Sequence, residues 1–323
     1  LFQGAVAAGQ FLLQDDLGLR YLGEYDLVAE PGQWSIVFGQ NRVWLRGYGI
    51  SPHPNILGGL LGSALLIVFM TVQSITGRRW WWLGYAALFF GTAGLIVTFS
   101  RSAWLGFFVG FGFCFVAQFV QEKQLPSIMR FSPTLPILAA LMVFIPLSMP
   151  VLQARSTPQE NQVVTQSVGE RQILNQYAIE VIRDNWALGQ GAGNFAPAML
   201  VHPDRDQFVN IHPVHNLPLL LIAELGILGG ALWIWLMLCP VLATGINAWH
   251  GQANRFEIGV AAALVALAAV DLFDYYSYGW PHGMMWRWML FGLFALAQIS
   301  PRIGGAPLEA DPLVLPDNQI ASG

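Results

Sequence analysis

The sequence predicts an all-α polytopic membrane protein, with about seven transmembrane helices and a large extracytoplasmic loop carrying an amphipathic helix. Three observations predict it. Charged residues are 11% of the chain, against about 25% in a typical soluble domain. Apolar residues reach 55% and the mean hydropathy is +0.51, so charges are too few to cover a soluble surface and lipid must cover much of it. Apolar runs of spanning length recur along the chain, and one long polar stretch, 153–216, separates two groups of them. The net charge of −4 gives no nucleic-acid signature. Cys114 and Cys239 both fall inside apolar runs, which argues against a disulfide framework.

Residues 1–55 read as a partial N-terminal helix followed by an extracytoplasmic loop. The apolar segment 1–14 is shorter than the roughly 20 residues that spanning requires. With no basic n-region it does not read as a signal peptide, and it reads instead as the tail of a helix beginning upstream. Asp15, Asp16, Glu24, Asp26 and Glu30 predict an acidic surface loop, and Pro31-Gly32 a turn. Arg42 and Arg46 precede Ser51-Pro52-His53-Pro54-Asn55, which leads into the first full span.

Four spans are expected over 56–152. The first is 56–76. The run 80–121 contains a single charge, Arg101. As one helix it would be about 63 Å long, twice a bilayer core of about 30 Å. It must fold back, and Ser100-Arg101-Ser102 is the natural turn. The fourth span is 132–152. Three more, at 217–245, 258–275 and 283–300, make up 217–300, and 301–323 reads as a disordered cytoplasmic tail. Alternation places Arg78, Arg79, Lys123, Arg130 and Arg255 in short loops on one side, whereas the opposite short turns carry only Arg101. The positive-inside rule makes the first side cytoplasmic, so 153–216 is extracytoplasmic together with Arg42, Arg46 and Arg101.

The 153–216 loop holds Arg155, Arg171, Arg183 and Arg205. Ser167-Val168-Gly169-Glu170 has the spacing of a capping box. Ile173, Tyr177 and Val181 then repeat every four residues, which predicts an amphipathic helix from Ser167 to about Asn185. That start places Arg171 in a first turn, where free N–H groups and a forked cation can face one phosphate. The alternative is that Arg171 pairs with Glu170 or another surface acid. Gly189-Gln190-Gly191-Ala192-Gly193 lacks the Gly-Lys-Ser/Thr ending of a phosphate loop and reads as a helix C-cap.

A lone arginine in an apolar run costs about 2.5–3.5 kcal/mol at a helix centre and less at the interface. Arg101 is therefore either a snorkelling anchor or an anion site where a lipid phosphate lies. Glu224, inside the fifth span, is a possible partner for a buried cation. Asp271, Asp274 and Arg287 read as an interfacial ion-pair group. His212 and His215 follow His202, Asp204 and Asp206, but Pro203 and Pro213 break regular ligand spacing, so a metal site is conceivable rather than indicated. An imidazole near neutral pH can act as a general base; a turn histidine satisfied by backbone is the other reading.

These residues also carry a resemblance. Ser100-Arg101-Ser102, Gly169-Glu170-Arg171 with Gly189-Gln190-Gly191-Ala192-Gly193-Asn194-Phe195, and His215-Asn216 with Ala223-Glu224-Leu225-Gly226 resemble motifs of the O-antigen ligase family. Arg46-Gly47-Tyr48-Gly49 with Pro54-Asn55 and Gly58 resembles its upstream motif. The match is in register over roughly residues 40–300. That family also includes O-antigen polymerases and protein O-oligosaccharyltransferases.

The resemblance implies a multi-pass protein of the bacterial inner membrane that moves a glycan from undecaprenyl diphosphate to an acceptor hydroxyl. The acceptor would be lipid A core, a growing polysaccharide or a protein. It implies Arg101, Arg171 and Arg46 on the diphosphate, His215 as the catalytic base, and His212, Asn216 and Glu224 as supporting residues. No cofactor and no metal are expected. A transporter is the more distant alternative; it would need charges at mid-depth, whereas here they cluster on one surface.

Overall fold

The computed structural model describes residues 1–27, 34–38, 43–72, 81–123, 132–154, 158–202 and 211–304. Of the structure, 75% is helical, which places it in the all-α membrane class. The helices are α1 (Phe2–Leu13), α2 (Pro54–Val72), α3 (Trp81–Val97), α4 (Arg101–Glu122), α5 (Thr134–Ala154), α6 (Pro158–Asp184), α7 (Phe195–Met199), α8 (Leu217–Trp249), α9 (Arg255–Asp271), α10 (Tyr276–Gly279) and α11 (Pro281–Gly304). Among the described residues, α2, α4, α5 and α8 are long and apolar enough to cross a bilayer. Helices α3, α9 and α11 stand where the other three spans were expected. The first two have 17 residues each, short of the roughly 20 a span requires.

The centre of the molecule is α2, α4 and α9, with α3 against α2 and α5 outside α3. Small residues let the backbones approach. A Cβ on Gly106 would stand 2.6 Å from the Ala266 carbonyl oxygen, and one on Gly110 2.7 Å from that of Ala262. Packing and shape, rather than water exclusion, hold helices together in lipid, and four-residue spacing of small residues favours it. Away from this centre the outward faces of α4, α5 and α8 are apolar and exposed, as a lipid-covered surface must be.

The N-terminal segment departs from the expectation in two ways. A short antiparallel hairpin, β1 (Ile36–Phe38) and β2 (Val43–Leu45), pairs Val37 with Trp44, and Trp44 stacks on Phe11 of α1 at 6.3 Å. Glu24 is buried rather than on the surface. Its carboxylate accepts from the N–H groups of Leu17 (2.8 Å) and Leu19 (2.6 Å) and from the Gln10 amide (2.7 Å). Gln10 also bridges to Gly49, so α1 fixes the chain just before α2. Glu30, Arg42, Arg78, Arg79, Arg130, Arg155, Asp204, Arg205 and Asp206 lie outside the described residues, as does the expected tail beyond residue 304.

Two further corrections concern the polar stretch. Helix α6 begins at Pro158, not at Ser167. Proline suits a first helical position, and no glycine or proline follows until Gly169, so the Ser167–Glu170 pattern sits inside the helix and caps nothing. The expected first-turn setting of Arg171 is therefore lost. The fifth span is not one straight helix either. Gly226 takes φ 70°, ψ −175°, a conformation essentially restricted to glycine, and it divides α8 into a packed first segment and a lipid-facing second one.

Candidate functional site

Three of the sequence-predicted arginines line one cavity of about 350 Å3: Arg46, Arg101 and Arg171, with Asn55, Ser100 and Ser102. They come from different parts of the chain. Arg46 follows β2, Arg101 opens α4, and Arg171 lies midway along α6. The first turn of α4 borders the cavity too, so its unpaired N–H groups join the guanidinium charge there. The helix N-terminus that sequence reasoning gave to Arg171 is thus supplied by the helix of Arg101.

The turn that delivers Arg101 is strained. Phe99 is buried with φ 50°, an outlier for a bulky residue. Backbone and side-chain contacts hold it: Arg46 Nε donates to the Thr98 carbonyl at 2.6 Å, and Ser100 N donates to Thr98 Oγ1 at 3.3 Å. Arg46 also donates to Ser35 Oγ (2.6 Å) and Asn55 Oδ1 (2.8 Å). It is buried and fixed by three partners, whereas Arg101 is exposed. Behind Phe99 lies an apolar cavity of about 410 Å3 between α3, α4 and α5, lined by Leu95, Phe107, Ile137, Leu141 and Leu152 among others; Phe99 belongs to both cavities.

His215 is not in the cavity wall but is joined to it. Its Nδ1 lies 3.5 Å from Asp274 Oδ1, a long ion-pair contact rather than a good hydrogen bond. The other Asp274 oxygen accepts from Asn55 Nδ2 at 3.2 Å. Asn55 in turn holds Arg46 in the cavity. The series Arg46–Asn55–Asp274–His215 therefore connects the expected base to the expected anion site. His215 itself is fixed on both sides. Val214 is fully buried, and Asn216 caps α8 by accepting from Leu219 N at 3.0 Å. The rings of His212 and Tyr275 pack on the imidazole at 5.1 and 5.2 Å. His212 makes its own contact to the Pro213 carbonyl. The supporting roles expected for Asn216 and His212 thus resolve into a helix cap and a ring contact.

Helix α9 ends at Asp271, so Asp274 stands in the connection after it. Burial alone would raise its carboxyl, but the His215 imidazole, the Tyr275 N–H and the Asn55 amide outweigh burial and hold it below the usual range. His53 adjoins this group, and burial, then the Arg46 charge, push its imidazole down to about 4. His53 is therefore neutral at physiological pH, and its Nδ1 accepts from Asn55 N at 3.1 Å. Sequence reasoning missed Asp274, Asn55 and His53 as site residues. Asp274 was grouped with Asp271 and Arg287; Asp271 does pair with Arg287, at 2.5–2.7 Å, but Asp274 turns the other way.

Among the described residues Glu224 has no cation partner. Its carboxylate accepts from the N–H groups of Gly193 (2.9 Å) and Phe195 (3.3 Å) and from the Tyr278 hydroxyl (3.2 Å). Burial and that carboxylate push the Tyr278 phenol up to about 12, so it stays a donor. Gln190 N and Gly191 N donate to the carbonyls of Ala223 and Glu224. The glycine-rich turn is therefore a joint between α6 and α8, and Gly189, at φ 66°, packs against the Glu224 carbonyl. The expected C-cap role is corrected: α6 ends at Asp184, and the glycine run beyond it joins α8 instead of capping α6. The joint sets the helix of Arg171 beside that of His215, with Leu174, Tyr177, Ala178, Leu217 and Leu221 packed between them.

His202 packs on Tyr177. Among the described residues no three His, Cys, Asp or Glu side chains gather as a ligand set. No curated protein matches the chain. The stretch 86–234, which holds Arg101, Arg171, His215 and Glu224, matches the family model for O-antigen ligase.

Proposed function

We propose that the protein transfers a glycan from undecaprenyl diphosphate to an acceptor hydroxyl on the extracytoplasmic face of the inner membrane. The family implies a ligase- or polymerase-type glycosyltransferase. The observation that carries the finer reading is the convergence of Arg46, Arg101, Arg171 and the start of α4 on one cavity. Guanidinium groups and a helix N-terminus suit a diphosphate, and their stabilisation grows as charge develops on the leaving group. The apolar cavity sharing Phe99 suits the first isoprene units of the same lipid.

In this reading His215 takes the proton from the acceptor hydroxyl. The oxygen attacks the anomeric carbon from the face opposite the diphosphate, and the carbon–oxygen bond to the diphosphate breaks with inversion. The electron pair leaves on undecaprenyl diphosphate, whose charge the arginines hold. Asp274, beside Nδ1, favours the tautomer with a proton there and leaves Nε2 to accept. No divalent ion is required for charge neutralisation. Arg46, held by Thr98, Ser35 and Asn55, orients; Arg101 and Arg171 bind.

The test is binding of a lipid-linked sugar diphosphate to purified protein in nanodiscs. Wild type should bind, and Arg101→Ala and Arg171→Ala should bind more weakly. Equal binding by all three proteins overturns the diphosphate assignment. Transfer should also survive chelation; full loss with EDTA, restored by one divalent ion, overturns metal independence and points to the His202, Asp204, Asp206 and His212 group.

A further inference from the structure

The break in α8 meets an apolar turn. Trp186, Ala187 and Leu188 follow α6 after Asn185, and Trp186 and Leu188 are 63% and 82% exposed. They lie against the break, because Ile227 N donates to the Trp186 carbonyl at 2.9 Å and a Cβ on Gly226 would collide with Ala187. Beyond the break, Ile227 and Leu228 are 46% and 73% exposed. From Leu228 an exposed apolar stripe runs along α8 through Leu232 and Trp235 at helical spacing. The turn thus heads a stripe that belongs to a span-length apolar helix.

Backbone bonding extends this observation. A helix broken at Gly226 frees the carbonyls of Ala223 and Glu224 and the N–H of Ile227. Each is taken up by the 186–191 turn: Ala223 by Gln190 N, Glu224 by Gly191 N, and Ile227 by the Trp186 carbonyl. Irregular backbone at membrane depth survives where protein satisfies it in this way. The polar residues Asp184, Asn185 and Gln190 flank the apolar pair, and tryptophan favours the headgroup level, where its ring is part apolar and its N–H wet.

We propose that the Trp186–Leu188 turn, with Ile227 and Leu228, is an interfacial anchor seated in the bilayer on the side of the arginine cavity. Its partner is the phospholipid interface. By holding the end of α6 there, the anchor fixes the height of Arg171 at the level of lipid phosphates. The inference rests on the membrane-spanning assignment of α8 and not on the transfer chemistry, so the two readings fail separately.

The test uses full-length protein with Cys114→Ala and Cys239→Ala, carrying Leu188→Cys or Leu228→Cys labelled with bimane, in phospholipid nanodiscs. Arg183→Cys is the reference on the polar side. Both apolar positions should lose emission to lipids spin-labelled near the headgroup and keep it against aqueous iodide, with Arg183→Cys showing the reverse. Iodide quenching at 188 equal to that at 183 overturns the anchor. So does disulfide formation between two Leu188→Cys chains without lipid quenching, which would show that a second copy covers the turn. The Leu228→Cys reporter decides the matter should the Leu188→Cys variant misfold.

Discussion

Asp271 and Asp274 lie three residues apart, both buried, yet they are spent differently. Asp271 meets Arg287 at 2.5 Å and also accepts from Ser277 Oγ. The Arg287 guanidinium carries further contacts to Met237 Sδ and the Trp233 ring. Every strong partner there is another fixed protein group, so the pair locks α9 to α11. Asp274 instead meets an amide at 3.2 Å and an imidazole at 3.5 Å. The closed pair joins two helices, whereas the loosely paired carboxylate stands beside the histidine to which the proposed mechanism assigns the proton.

The largest expected effect follows from breaking the closed pair. Arg287→Ala leaves Asp271 buried and unpaired, and should destabilise the protein by about 3–5 kcal/mol, read as a lower melting temperature in detergent. Asp274→Asn should do the opposite: folding close to wild type and transfer sharply reduced with donor affinity kept. If Asp274→Asn unfolds the protein as Arg287→Ala does, the two aspartates are alike and the contrast is lost.

Glu224 sharpens the comparison as a carboxylate held by backbone. Glu224→Ala orphans two N–H groups and a phenol, at about 1–3 kcal/mol for each buried group left unsatisfied. It should lower both stability and donor affinity, because Arg171 loses its register with α8. Unchanged donor affinity in a folded variant would remove Glu224 from the account of the site.

A smaller effect concerns pH. Burial and the Arg46 charge hold the His53 imidazole at about 4 in the fold, against its ordinary 6.5. Because its folded value is depressed, His53 favours folding fully above about pH 6.5, and that contribution is lost as pH falls towards 4. His53→Gln should flatten the loss of melting temperature over that window; an unchanged slope would show that His53 is not the group responsible. Smallest of all is Arg183→Ala. This arginine is exposed in the last turn of α6, where a cation suits the helix dipole, and removal should change stability by less than about 0.5 kcal/mol with transfer unaffected.

The sequence made Arg101 legible because one charge stands out in an apolar run, and His215 because it adjoins a capping asparagine at the mouth of a span. The grouping of Arg46, Arg101 and Arg171 was implied by a family resemblance; spacing alone could not give it. Asp274 could not be read, since its partner Asn55 is 219 residues away and its composition matches that of Asp271. Ser167-Val168-Gly169-Glu170 misled because a capping pattern is local, whereas helix length is set by what precedes it. The Gly226 break was hidden because glycine is common in membrane helices, and only the tertiary contact with the 186–191 turn distinguishes this one.

The measurement that bears most directly on the account is donor affinity beside transfer rate for wild type, His215→Ala, Arg101→Ala, Arg171→Ala and Arg171→Lys in nanodiscs. His215→Ala should bind donor normally and transfer about 10²–10⁴-fold more slowly, the usual contribution of a general base. Arg101→Ala and Arg171→Ala should lose both binding and turnover, with lysine at 171 a poor substitute for a forked donor. Near-normal transfer by a folded His215→Ala protein, or normal donor binding by both arginine variants, would contradict it.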